Sequence, residues 1–240
     1  MKAKLKRLYK QGGPLAIGTK VIEVLNRVFA STAKNIYFKV TPSGKFDFNG
    51  NKLKYYRHNF NLAYQNERTV EIPIATWFLN AQEGASRILE VGNVLRNYGC
   101  RIKRDVLDKY DLSRGIINQD VLVFFPKEKY NAIISISTME HVGWDEPDRD
   151  PNKIPAALAN LRDNCLLPGG VMMVRLPLGY NPYFDEYLKI GGDVFSEKYF
   201  LKRISFANEW QQVQYAEVIE SKFGEPYNNA NVMFIGIMRN

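Results

Sequence analysis

From residue 87 onward, short apolar runs alternate with amphipathic stretches, and this rhythm constrains the fold more than any other feature. "RILEVG", "RDVLDKY" and "YNAIISIST" have strand composition, and "GIIN" is a candidate for one more short strand. "IPAALANLRDNCL" carries apolar residues at helical spacing and is closed by "PGG". "VMMVRLPL" is a strand again, "YFDEYLKIGG" a short helix and "NVMFIGIMRN" a terminal strand. Strands in such alternation build a mostly parallel sheet covered on both faces. Ligands of these sheets bind beyond the carboxyl ends of the strands, near the point where strand order reverses. Every polar cluster that directly follows a strand is therefore a candidate site.

The first part of the chain reads differently. Residues 13–35 have helical spacing, and "IYFKV", "KFDFNG" and "NKLKYYRH" look like short strands separated by the turn sequences "TPSG" and "NGN". Residues 1–64 are expected to form a small annex of helix and β-hairpin, and residues 65–240 an α/β domain. The stretch 68–82, "RTVEIPIATWFLNAQ", predicts a helix with a proline near its start.

With 45% hydrophobic residues, the 240-residue chain can bury a core without disulfides or metals. Cys100 and Cys165 lack C-x-x-C spacing, which argues against a zinc site and for reduced thiols in the cytoplasm. No apolar run approaches the roughly 20 residues of a membrane span. The basic start "MKAKLKRLYKQGG" has no following apolar region, so it is not read as a signal peptide. Five positive charges in the first ten residues contribute to the net charge of +8. They leave open a peripheral contact with acidic lipid or nucleic acid. Nucleic acid is not favoured, because no RNA-binding motif accompanies them.

The strand-end clusters carry the chemistry. Glu90, Gly92 and Asn93 end the first strand of the domain, and glycine there permits an unusual backbone angle or a close approach. Asp108 lies sixteen residues after Gly92, where a carboxylate can accept from both hydroxyls of a ribose; Asp105 and Asp111 compete for that role. Asp120 can accept from an exocyclic amine while Val121 covers a ring, or it can cap the next turn. His141, one of two histidines, follows "SISTME" and is placed to act as a general base, with an ordinary pKa of about 6.5. Trp144 can stack on a ring, and Tyr180 and Asn181 follow the next strand, where they can meet a polar substrate or form a turn and helix cap. Arg68, in "NERT", can pair with a carboxylate in fork geometry.

Taken together, "ILEVGNVL", "VLDKYD", "INQD", "YNAIISISTMEHVG" and "LLPGGVMMVRLPLGYNP" resemble, in order and spacing, the motifs of class I S-adenosylmethionine-dependent methyltransferases. With "YQNERTVEIPIA" and "SISTMEHVGWDE" they are similar to a microbial subgroup associated with sugar, glycan or small-molecule modification. The resemblance covers about residues 65–240. It implies a Rossmann-like sheet with an antiparallel last strand, and S-adenosyl-L-methionine as cofactor. By the resemblance, Glu90 and Gly92 lie near the methionine part, with Asn93 beside them. Asp108 holds the ribose, Asp120 the adenine amine, and Ser137 and Thr138 line the floor. The methionine carboxylate is one available partner for Arg68.

The family pattern has two or three spaced glycines after the first strand, whereas Asn93, Val94 and Leu95 follow Gly92 here. One glycine is too few for a dinucleotide site, which disfavours a dehydrogenase. It can serve a cofactor with no pyrophosphate to cradle. The expected reaction is methyl transfer to a hydroxyl of a small polar acceptor such as a sugar or glycan. His141 is the first candidate base, Tyr180 the second, and Trp144 and Asn181 are candidate substrate contacts. A cofactor-binding scaffold with little activity and an RNA methyltransferase are the rival readings.

Overall fold

The computed structural model describes residues 44–240 apart from 83, 192 and 193, and before them only Ile22, Thr32, Ala33 and Ile36. The chain divides into two units, Met1–Ser43 and Gly44–Asn240. The helix expected over 13–35 and the basic N-terminus lie, except for Ile22, Thr32 and Ala33, outside the described residues. These three are helical, and so is Ile36, where a strand was expected to begin. The hairpin expected in the annex belongs to the second unit, so the division falls at residue 43 rather than 64.

That hairpin pairs β1 (Lys45–Phe48) with β2 (Asn51–Lys54) across Asn49–Gly50, both at positive φ. Phe46 and Phe48 turn inward and join the core of the sheet domain. Helix α1 (Arg68–Asn80) follows. Its proline, Pro73, sits in the sixth position rather than the first turn, so the carbonyl of Thr69 loses its helical donor. The backbone N–H of Tyr56 donates to that carbonyl at 2.8 Å, and the Thr69 hydroxyl donates back to the Tyr56 carbonyl at 3.0 Å. The chain leaving the hairpin is thereby clipped to the helix at the bond that proline removes.

The main sheet has seven strands in the order β4-β3-β5-β6-β9-β7-β8. They are β3 (Ile88–Val91), β4 (Asp105–Leu107), β5 (Tyr130–Ile136), β6 (Leu166–Pro177), β7 (Glu197–Arg203), β8 (Trp210–Val213) and β9 (Val232–Arg239). Strands β4, β3, β5 and β6 are parallel, and the last strand is inserted antiparallel between β6 and β7. This is the α/β, Rossmann-like, mostly parallel sheet with an antiparallel last strand that the motif order implied. Ile133 faces α2 (Lys153–Asn160) and α3 (Pro182–Lys189), while Ile134 and Ile136 face α1 and the hairpin, as strand alternation requires. "GIIN" contributes only one bridge, Ile117 to Leu107.

Two crossovers are unusually bare. Parallel strands are normally joined through a helix, but between β3 and β4 there is a single 3₁₀ turn, Leu95–Tyr98. Between β4 and β5 the described residues contain no helix. The chain leaves β3 for β4 on one side and returns to β5 on the other, so the switch in strand order lies between β3 and β5.

Candidate active site

A cleft of about 510 Å³ opens at that switch point, and Gly92, Asn93, Asp108, Asp120, Val121, Ser137, Thr138 and His141 all line it. Eight residues singled out in the sequence are thus brought together by the carboxyl ends of β3, β4 and β5. Lys109, Asp145 and Glu146 also line it. The sequence reading did not single these out, although "VGWDE" and "DKYD" carry them.

The loop after β3 explains how one glycine suffices. Glu90 is fully buried, and its Oε1 accepts from the backbone N–H of Val94 at 2.9 Å and of Leu95 at 2.7 Å. Its Oε2 is held by Arg104. The N–H of Asn93 donates to Asp108 Oδ2 at 3.1 Å. The N–H groups that a phosphate would need are therefore spent on the chain's own carboxylates, and no anion cradle remains. Glu90 shapes the loop instead of contacting a ligand, which corrects the expectation for it. Gly92 is required by packing: at φ +86°, a Cβ would lie 2.0 Å from Thr138 Oγ1. Glycine is the residue that lets the β3 and β5 loops touch.

Asp108 stands at the end of β4 as expected. Its Oδ1 accepts from the N–H groups of Tyr110 and Asp111, both at 2.9 Å. With Asn93 this uses three of the roughly four acceptor positions of a carboxylate, so one direction on Oδ2 is open to a further donor. Asp111, the competing carboxylate, is held down to about 2 by hydrogen bonds from Asn93 and Ser113. The Nδ2 of Asn93 donates to Asp111 at 2.6 Å, and its Oδ1 is buried without a partner.

Asp120 is engaged as well. Its Oδ1 accepts from Leu122 N–H at 2.9 Å, and its Oδ2 pairs with Lys109 Nζ at 2.8 Å. Lys109 reaches on to Glu146 at 2.6 Å, and Glu146 to Lys153 at 2.5 Å. Hydrogen bonds to Asp120 and Glu146 push the Lys109 ammonium above its ordinary range. Next to this chain of charges, Val121 presents an apolar wall.

At the end of β5, Ser137 adopts φ +39°, a strained angle for a residue with a side chain. Its hydroxyl donates to Glu71 Oε1 at 2.6 Å. His141 is half exposed at the cleft, and its Nδ1 lies 2.5 Å from Asp145 Oδ2. The same oxygen accepts from the Tyr180 hydroxyl at 2.6 Å. Burial opposes ionisation of Asp145, but these two bonds hold its carboxyl below the usual range. Burial and the adjacent Asp145 push the Tyr180 hydroxyl up to about 12. A phenol that donates to a carboxylate and is so hard to ionise is a poor base. Tyr180 therefore orients Asp145, which corrects its place as second candidate.

Three further expectations are corrected. Arg68 is paired through Nη1 with Glu71 on its own helix and does not line the cleft. Trp144 stacks under Arg149 at 3.9 Å and meets Tyr183 edge-on. Asn181 is buried, caps α3 by accepting from Tyr183 N–H, and donates to the Glu140 carbonyl at 2.9 Å. Neither Trp144 nor Asn181 lines the cleft.

No family model matches the chain, and no curated protein matches it. Among solved structures, the N-methyltransferase NodS from Bradyrhizobium japonicum WM9, in complex with S-adenosyl-l-homocysteine, is similar at 14% identity and a TM-score of 0.44. That match covers 69% of this chain and 84% of that one. A SAM-dependent methyltransferase from Archaeoglobus fulgidus is similar at 14% identity and a TM-score of 0.44, over 75% of this chain and 98% of that one. CalS10, an amino pentose methyltransferase from Micromonospora echinaspora, shares 20% identity over 50% of this chain and 56% of its own, with a TM-score of 0.34. Likenesses of this order decide neither activity nor cofactor.

Proposed function

We propose that this chain is a methyltransferase that binds S-adenosyl-L-methionine in the cleft and methylates a hydroxyl of a small polar acceptor, such as a sugar or glycan. The observation that carries the reading is His141, held by Asp145 at the same cleft that Asp108, Asp120 and Val121 line. The residues fit the cofactor in kind. Asn93 Oδ1 is a buried acceptor with no donor, Asp108 keeps one free direction, and Val121 offers an apolar wall to a ring. A loop whose N–H groups are already spent suits a ligand without phosphates. In this reading Asp108 accepts from the ribose hydroxyls, Asp120 and Val121 flank the adenine, and Thr138 forms the floor with Ser137.

The bound cofactor supplies an electrophilic methyl group. The chain's own task is alignment, together with removal of one proton from the acceptor. Hydrogen bonding of His141 Nδ1 to Asp145 leaves Nε2 to take that proton. Asp145 stabilises the imidazolium that results, and Tyr180 holds Asp145 in place.

Isothermal titration of the full chain with S-adenosylhomocysteine tests the reading. Saturable binding that is weakened in Asp108→Asn supports it, and no binding by the unmodified chain refutes it.

A further inference from the structure

Next to His141 the fold buries a carboxyl that it does not fully use. Glu140 is 3% exposed, its Oε1 lies 3.8 Å from His141 Nε2, and its Oε2 has no hydrogen-bond partner. The charges that act on it come from the start of α1: Glu71, Arg68 and Glu67. Neither guanidinium nearby bonds to it: Arg68 pairs with Glu71, and the fully buried Arg175 donates through Nη1 to the Glu71 backbone carbonyl, while its Nε and Nη2 reach no acceptor. Among the described residues, no Lys or Arg ion pair reaches Glu140. Three carboxyls therefore face two guanidiniums, and the unserved carboxyl adjoins the candidate base. Ser137, which lines the cleft and donates to Glu71, connects this group to the ligand space.

Its own backbone N–H serves the Glu140 carboxyl, but a buried carboxyl oxygen left without a donor is costly in either protonation state. Burial, reinforced by Glu71 and Glu67, holds the Glu140 carboxyl well above the usual range. The chemistry that relieves such a site is a cation with several N–H donors. A hydroxyl brings one donor and no charge, and an anion meets three carboxyls. The 3.8 Å gap between His141 Nε2 and Glu140 Oε1 is too long for a direct bond.

We propose that Glu140, backed by Glu67 and Glu71, recognises an ammonium group on the acceptor, so that the substrate is an amine-bearing small molecule such as an amino sugar. This rests on the methyltransferase reading of the cleft. The ammonium orients the acceptor, and the methylated atom remains the hydroxyl facing His141. Glu140 is thus a specificity residue, one position before the base in the chain and adjacent to it in space.

The test uses the full chain, free and loaded with S-adenosylhomocysteine. Ethylammonium chloride and ethanol are titrated against protein carrying ¹³C-labelled glutamate carboxyls, and glucosamine and glucose are compared in the same way. The expected result is a saturable shift of the Glu140 carboxyl with each amine and none with its neutral counterpart. In Glu140→Gln, a near-isosteric change, amine affinity should fall about tenfold or more, as loss of a charge-assisted bond implies. Glu140→Asp, which keeps the charge but withdraws it, should be intermediate. Equal responses to ethylammonium and ethanol in the unmodified chain overturn the proposal without any variant, as does undiminished amine binding in Glu140→Gln. Failure of S-adenosylhomocysteine to bind refutes the cofactor reading alone, because the amine response is also read on the free protein.

Discussion

On the β3–β4 wall of the cleft, Asp108 accepts three backbone N–H groups and Asp120 a lysine ammonium, whereas beside the β5 wall Glu140 keeps an oxygen with no donor. The carboxylates of the first wall are engaged by the chain itself: they fix loop geometry and leave single directions for a ligand, with Asn93 Oδ1 a buried acceptor lacking a donor. Behind the second lies a larger deficit, with Ser137 strained, Glu140 Oε2 without a donor and, on the neighbouring β6, Arg175 Nε and Nη2 unpartnered. A protein tolerates unsatisfied buried groups where function requires them. The difference assigns the shaped wall to a ligand of fixed form and the unsatisfied one to a ligand that supplies the missing partners.

The largest effect should fall on the β5 side. His141→Ala is expected to slow single-turnover methylation by about 10²–10⁴-fold, with S-adenosylhomocysteine affinity nearly unchanged by titration. Equal losses in rate and affinity would mean that His141 builds the cofactor wall and that the two sides are not separable.

The converse holds across the cleft. Asp108→Asn should weaken S-adenosylhomocysteine binding by about 10–100-fold, at 1.5–3 kcal/mol for a hydrogen bond to a charged group. It also loosens the loop, so denaturant unfolding is measured beside the titration. Unchanged affinity would move the ribose role to Asp111. At the seam, Gly92→Ala forces a side chain onto Thr138 at positive φ, and a loss of about 1–3 kcal/mol in unfolding free energy is expected. An unaffected variant would show that the β3 and β5 loops are not in contact.

A smaller effect, read by pH, lies outside the cleft on α3. Asp185 accepts from the Gly179 N–H, and burial raises its carboxyl to about 6. Between about pH 4 and 6 the folded chain then holds a proton that the unfolded chain has released, so this group's contribution to stability falls as pH rises through that window. The contribution should be about 1–2 kcal/mol after discounting for partial exposure. Asp185→Asn should flatten that part of the stability curve relative to the unmodified chain. Asp111, in the loop after β4 and held at about 2, acts only at lower pH and with the opposite sign. Parallel curves for the two proteins would remove Asp185 from the account.

Much of the fold and the cleft was legible in the residues, and the parts that were not have physical causes. Strands β3, β5, β6 and β9 are apolar on both faces, so composition announces them. Strand β8 lies at the sheet edge with two exposed glutamines, and β7 beside it mixes charged with apolar residues, so neither carries a clean signal. Gly92, Asp108, Asp120 and His141, each read from its place after an apolar run, line one cleft because strand ends converge in this fold. Their partners were not: Glu71 meets Ser137 across 66 residues and Arg175 across 104. Nothing local marks Glu140 as unpaired or Arg68 as already paired. Trp144 and Asn181 lie outside the cleft lining, in stacking and capping contacts that use the same residue types as substrate binding.

Tyr180 provides the smallest and most discriminating contrast on the β5 wall. If it were the base, Tyr180→Phe would abolish turnover about as completely as His141→Ala. If it positions Asp145, the change removes one of two bonds to a carboxylate oxygen that His141 still engages. For this half-exposed carboxylate a bond to a charged group contributes about 1.5 kcal/mol, the low end of its range, so the rate should fall by only about tenfold. Asp145→Ala, which removes both bonds and the charge, should exceed it. Aromatic contact of ring 180 with His141 and Phe223 is preserved by phenylalanine, so melting temperature should barely move and a rate change can be read as loss of orientation. A Tyr180→Phe rate as low as that of His141→Ala, in a stably folded protein, would return the proton transfer to Tyr180.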